Sequence, residues 1–340
     1  MTESTKLYQN VKVGKPKDSV IEITGEISAE MLEINRKEVL REVKSKLEIP
    51  GFRKGNAPEE MVLKHVDMNH VLEDAAEEAL STAYPAILDD FNLVPISSPR
   101  VTLVKLAQGS PVEFKIHIAV TPDVTLPNYK KIASAIKAAR KPVTIDDKEA
   151  EDVITQLLTM RAGEDGKPAE LTDELVKSLG KFENVADFKA KLKTNLLAEK
   201  ETEATRIRYE EIARKLVDET TIALPAPLIE DEMYAAHGRL HKELEKREMK
   251  AEEYFKIIKK TEEEYVKEKK ESIERQLKTK FILSAIAKKE NLQADEKDIE
   301  KELQHARKHY PDSNTEAFRT YVEEMLTNEK ALRFLESADW

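Results

Sequence analysis

The stretch Ile49-Pro50-Gly51-Phe52-Arg53-Lys54-Gly55-Asn56-Ala57-Pro58 lies between two segments with helical apolar spacing, and no other part of the chain joins apolar, basic and turn residues so tightly. Pro50 and Gly51 end the helix before it, Gly55 permits a positive φ, and Pro58 suits the first turn of the helix after it. The residues between the two glycines should therefore project as an exposed tip. A phenylalanine held out beside two cations suits docking to another molecule. The plainer alternative is that Phe52 folds back onto its own helices, since single exposed aromatics are common.

On the N-terminal side of the tip, Leu7 to Val13 and Val20 to Ile27 alternate apolar and polar residues around Gly14-Lys15-Pro16-Lys17. That pattern predicts an antiparallel hairpin with Ile21, Ile23 and Ile27 on its buried face. Ser28 then caps a helix whose apolar stripe is Leu32, Val39, Val43 and Leu47, with cations along its other faces. Beyond the tip, a short helix over Pro58 to His65 and a longer one over Val71 to Phe91 are expected, the latter with Leu72, Ala76, Ala79, Leu80, Ala83 and Ile87 inward. Strands over Arg100 to Lys105 and Pro111 to Val120 follow, with Val112, Phe114, Ile116 and Ile118 repeating at period two. The expectation is an α+β domain over residues 1–120, a four-stranded antiparallel sheet with helices on one side.

Pro122 and Pro127 exclude regular helix around them, so residues 121–144 read as a linker. Residues 145–340 then read as an all-α, elongated, multi-helix domain. Its helices are expected over Ile145 to Arg161, from a cap at Asp187 to Glu219, from the break Ala223-Leu224-Pro225-Ala226-Pro227 to Arg247, over Ala251 to Lys259, Thr261 to Glu290 and Asp295 to His309, and as two pieces over Thr315 to Glu336. Asn291 and Pro311 mark breaks. No repeat of fixed length is present, and no a/d heptad persists long enough for a coiled coil.

The chain has 340 residues, 40% of them apolar and 36% charged, with 9 glycines and 6% aromatics. That balance favours long helices over an enzyme built of loops. The absence of cysteine removes disulfides and thiolate chemistry together and fits a reducing, cytoplasmic address. Residues 1–10 lack a signal-like apolar core and no apolar window is long enough to span a bilayer, so neither export nor a membrane is expected. A formal charge of −10 argues against broad nucleic-acid binding and leaves the cations of the tip as the local exception.

No constellation for catalysis stands out. His237 with His241, and His305 with His309, sit one helical turn apart, but without a zinc-protease glutamate or a third ligand they read as surface histidines. The 66 acidic residues form clusters such as Glu262-Glu263-Glu264 that mean solvated faces. No phosphate loop or nucleophile elbow is present, so neither a cofactor, a metal nor an enzyme activity is expected. A surface for holding other chains needs less: scattered apolar side chains with a charged rim. Candidates for such contacts are Met233, Tyr234, Leu240, Tyr254, Phe255, Ile258, Phe318, Tyr321 and Met325, each of which could equally be packing between helices.

Gly51-Phe52-Arg53-Lys54-Gly55-x-x-Pro58 resembles the ribosome-binding signature of the trigger factor family of bacterial chaperones. The likeness extends to the alternating segments before the tip, the helices after it, and the stretch from Ala169-Glu170-Leu171-Thr172 through Ile222-Ala223-Leu224-Pro225-Ala226-Pro227-Leu228-Ile229. The resemblance implies an ATP-independent chaperone that binds nascent or unfolded polypeptides at the ribosomal tunnel exit. Phe52, Arg53 and Lys54 would touch a ribosomal protein there, while Gly51, Gly55 and Pro58 shape the loop, and helical arms would enclose the client. By the same likeness the free protein can form a homodimer. Where the family carries an FKBP-like prolyl isomerase domain, this chain has only the loop 161–168, far short of the roughly one hundred residues a domain needs. The competing readings are a helical adaptor or holdase with one specific partner away from the ribosome, and an exported holdase, which the missing signal peptide disfavours.

Overall fold

The computed structural model describes residues 7–50, 52–56, 58–161, 168–309 and 315–337. Two strands open the chain, β1 (Gln9–Val13) and β2 (Val20–Ile27), and two more, β3 (Arg100–Lys105) and β4 (Val112–Ala119), complete an antiparallel sheet in the order β1-β2-β4-β3. Ile21, Ile23, Gly25 and Ile27 lie opposite Ile118, Ile116, Phe114 and Val112 in register, so period-two alternation puts all eight on one face. Helices α1 (Ala29–Lys46), α2 (Glu59–Leu63) and α3 (Met68–Asp90) fill the long connection between β2 and β3. Leu32 of α1 and Leu72, Ala75, Ala76, Ala79 and Ala83 of α3 join that sheet face in one core. The small residues of α3 let its backbone come close.

A Cβ on Gly25 would stand 2.6 Å from the Phe114 ring and 2.9 Å from Val11, so glycine is the residue that lets this buried ring lie across β2. The hairpin turn differs in place from expectation. Lys17 and Val20 exchange backbone hydrogen bonds at 2.9 Å around Asp18 and Ser19, whose φ values of 51° and 60° are those of a primed turn matched to the strand twist. Ser28 caps α1 as expected, its side chain accepting from the Met31 N–H.

Contacts divide the chain into two units that do not follow chain order: residues 1–124 with 221–281, and residues 125–220 with 282–340. In the first unit the sheet and its helices are joined by α8 (Ala226–Lys246), α9 (Ala251–Ile257) and the start of α10 (Glu262–Lys289). The second unit holds α4 (Tyr129–Ala138), α5 (Asp147–Met160), α6 (Asp173–Leu179), α7 (Val185–Glu219), the end of α10, α11 (Glu296–His309) and α12 (Glu316–Ser337). Helix α4 stands within the segment expected as a linker. Asn128 caps it directly after Pro127, and Tyr129, Ile132, Ala133 and Ile136 bury one face. Asn184 rather than Asp187 caps α7, and Asp187 accepts from the Glu183 N–H in the first turn. A single helix replaces the two expected over residues 315–336.

Within the second unit, Arg208 of α7 donates to Glu336 of α12 at 2.8 Å, with both side chains mostly buried. Tyr129 of α4 donates its hydroxyl to Glu290 at 2.6 Å, and Lys130 lies 3.0 Å from the same carboxylate. At the end of α5, the Leu158 carbonyl accepts both the Arg161 N–H at 3.2 Å and the Ala169 N–H at 3.1 Å. Residues 162–167 and Pro311, where the sequence predicts a loop and a break, lie outside the described residues.

Candidate functional site

Helix α1 stops at Leu47, whose N–H still reaches the Val43 carbonyl while its own backbone turns extended. Ile49 and Val62 are buried against each other, with Leu47, Met61 and Val66 around them, so the loop stands on a small apolar base of its own. From that base the chain turns twice: the Phe52 N–H reaches the Ile49 carbonyl at 3.1 Å, and the Asn56 N–H reaches that of Arg53 at 2.9 Å. Gly55 takes φ 83°, the left-handed geometry inferred for it, and Pro58 occupies the position just before α2. Gly51 lies outside the described residues.

Ile49 and Val62 fill the space beneath the loop, and Phe52 is left 41% exposed, with Arg53 and Lys54 exposed beside it. Phe52 is not among the residues of that buried cluster. Lys54 lies 3.8 Å from Glu48 with both side chains largely in solvent, a pair too open to hold the loop by itself. The three side chains named from the sequence therefore come together on one outward turn.

The candidate client contacts fall into two groups, one in each unit. On α8, Tyr234 is 84% exposed, whereas Met233 packs against the apolar cluster around Leu228 and Phe281 and Leu240 is half-buried. Tyr254 and Phe255 of α9 form a three-ring cluster with Tyr265 of α10, centroids 5.6–6.2 Å apart, and burial pushes the Tyr265 phenol above its ordinary range. Ile258 is half-buried there. Its neighbour Ile257, which is not among the candidates named from the sequence, is 66% exposed. In the other unit Phe318 packs between α11 and α12 and stacks on Tyr321, and Tyr321 and Met325 remain exposed. Met160 is a further exposed apolar residue, and Ile207, which the sequence places on a related apolar face of the same helix as Phe188 and Leu216, is half in solvent.

Among the described residues no three His, Asp or Glu side chains gather as metal ligands would. His241 lies 3.5 Å from Glu245, one turn along α8, and the His309 side chain lies outside the described residues. No described helix is long and apolar enough to cross a membrane.

The chain thus presents an exposed aromatic and basic turn on a sheet-and-helix head, together with helices that leave apolar side chains in solvent. The description "Bacterial trigger factor protein (TF)" matches residues 9–157, and its C-terminal counterpart matches residues 184–336. The chain belongs to the trigger factor family, and its function is that of a ribosome-associated chaperone. It is 26% identical to the trigger factor of Carboxydothermus hydrogenoformans over 84% of this chain and 87% of that one, and 25% identical to that of Moorella thermoacetica over 78% and 79%. A solved structure described as "Promiscuous Substrate Recognition in Folding and Assembly Activities of the Trigger Factor Chaperone" superposes with a TM-score of 0.56 at 18% identity, covering 96% of this chain and 99% of the other. Only residues 158–183 separate the two matched regions, so the chain lacks the family's middle prolyl isomerase domain.

Proposed function

We propose that Phe52, Arg53 and Lys54 dock this chaperone on the ribosomal protein beside the tunnel exit, within an N-terminal domain of about residues 1–120. The observation that carries this reading is the two-fifths exposure of Phe52 above a loop base already filled by Ile49 and Val62. An apolar ring with nothing left to cover at home gains by burial in a partner, and Arg53 adds a charge-assisted bond to a carboxylate there. Gly55 and Pro58 shape the turn.

Clients are nascent and unfolded chains, held without ATP by the helical part over residues 145–340, including Tyr234, Tyr254, Phe255, Ile258, Tyr321 and Met325. Weak and dispersed apolar contacts suit release without an energy source. The working place is the cytoplasm, the free form can pair as a homodimer, and no prolyl isomerase activity is expected. Replacing Phe52, Arg53 and Lys54 together by alanine should abolish cosedimentation with ribosomes and leave the helical circular dichroism unchanged. Undiminished cosedimentation of that variant would overturn the assignment of the tip.

A further inference from the structure

The first unit contains the head that carries the tip together with α8, α9 and α10 as far as Phe281, and a polar lock joins α8 to the sheet of the head. Asp231 of α8 accepts the Ser98 N–H on Oδ2 at 2.8 Å and Arg100 Nη2 on Oδ1 at 2.6 Å. The same Arg100 nitrogen lies 3.4 Å from the Pro227 carbonyl and 3.5 Å from Glu230. Ser98 and Arg100 lead into β3 and begin it, so one carboxylate grips an edge of the sheet by a backbone donor and a guanidinium together. Beside it Ile96 and Val124 of the head pack against the cluster of Leu228, Ile273 and Phe281. Many ion pairs of this chain join residues three or four apart on one helix, such as Arg36 with Glu33 and Arg247 with Glu243. The Asp231 bond to Arg100 spans 131 residues, and with the Ser98 N–H on the other oxygen the carboxylate is held at both ends, which fixes orientation as well as proximity.

We propose that Asp231 is a positioning residue: it fixes α8 to α10 on the head, so that a docked tip sets where the exposed Tyr234 of α8 meets an emerging chain. The inference rests on the tip reading in its ribosomal part only; the lock itself belongs to the free protein. A loosened α8 would still offer the same apolar side chains in solution, but not at a fixed distance from the docking point. The role therefore separates from plain stability.

Two measurements test it. The chain has no cysteine, so spin labels at Asn56→Cys on the tip and Lys242→Cys on α8 are specific. The distance distribution between them should be narrow in the parent and at least twofold broader in Asp231→Ala, with Arg100→Gln intermediate because the Ser98 N–H keeps its acceptor. An unchanged width in Asp231→Ala overturns the lock, whatever happens on ribosomes. On ribosomes carrying stalled nascent chains, a photocrosslinker at Tyr234 should lose at least fivefold in yield in Asp231→Ala. Cosedimentation, and aggregation suppression in free solution, should stay within twofold of the parent. Equal crosslinking overturns the positioning role. Failure of the parent to cosediment would instead count against the tip reading and leave the distance measurement to decide the lock.

Discussion

At Gly25 a side chain is excluded by its neighbour across the sheet. The ring of Phe114 occupies the volume where a Cβ would go, and Phe114 is itself sealed in the core. Gly25→Ala should therefore destabilise the protein by about 1–3 kcal/mol through overpacking, read from urea unfolding, and Phe114→Leu in the same background should recover part of that loss. If the double variant is no more stable than Gly25→Ala, the clash is not the cause. Nothing in the local sequence marks this glycine, because its partner lies 89 positions away. The tip is the opposite case. Pro50, Gly55 and Pro58 carry their backbone consequences with them, so the turn itself was legible, whereas the apolar base made by Ile49 and Val62 depends on a helix returning after the loop.

Among the elements, α4 shows why a proline pair misleads. Pro122 and Pro127 do exclude helix, but Asn128 starts one directly after the second, and its stripe of Tyr129, Ile132, Ala133 and Ile136 was masked by reading the whole segment as a connection. The start of α7 misled differently, since Asn184 and Asp187 can both cap and only the backbone geometry chooses between them. Helix α4 is fastened through Tyr129, whose phenol is pushed up to about 12 by burial and by its bond to Glu290. The folded state thus favours the protonated phenol. Its stabilising effect is complete below pH 10 and fades as the pH rises through 12, so stability should fall over that window in the parent and less steeply in Tyr129→Phe. At neutral pH the same substitution should cost about 1.5–3 kcal/mol, the worth of a hydrogen bond to a charged group. Helix α12 depends on Glu336 in a harsher way. Glu336→Ala leaves the mostly buried Arg208 without its carboxylate, although the bond to the Thr205 hydroxyl remains, and should cost about 3 kcal/mol in thermal or denaturant unfolding, more than any exposed pair of α7.

For the whole molecule, the α+β head and the helical remainder followed from periodicity, since long runs of period two or 3.6 survive any tertiary arrangement. The grouping of residues 221–281 with the head did not, because it rests on the clasp of Asp231 and on apolar contacts that only the folded chain brings together. The missing middle domain leads to a prediction at this scale. Refolding of a proline-limited client should not accelerate in the presence of this protein, although aggregation of several unrelated clients should fall. Measured acceleration would require an isomerase site elsewhere in the chain.

The Leu158 carbonyl, which receives amides from both Arg161 and Ala169, brings the two strands of chain flanking residues 162–167 side by side. A cargo attached there needs only neighbouring ends, which many independent domains possess. This neck can therefore act as a socket: foreign modules could be gained, lost or exchanged at it over evolutionary time, or by engineering, while the helices on either side keep their seats.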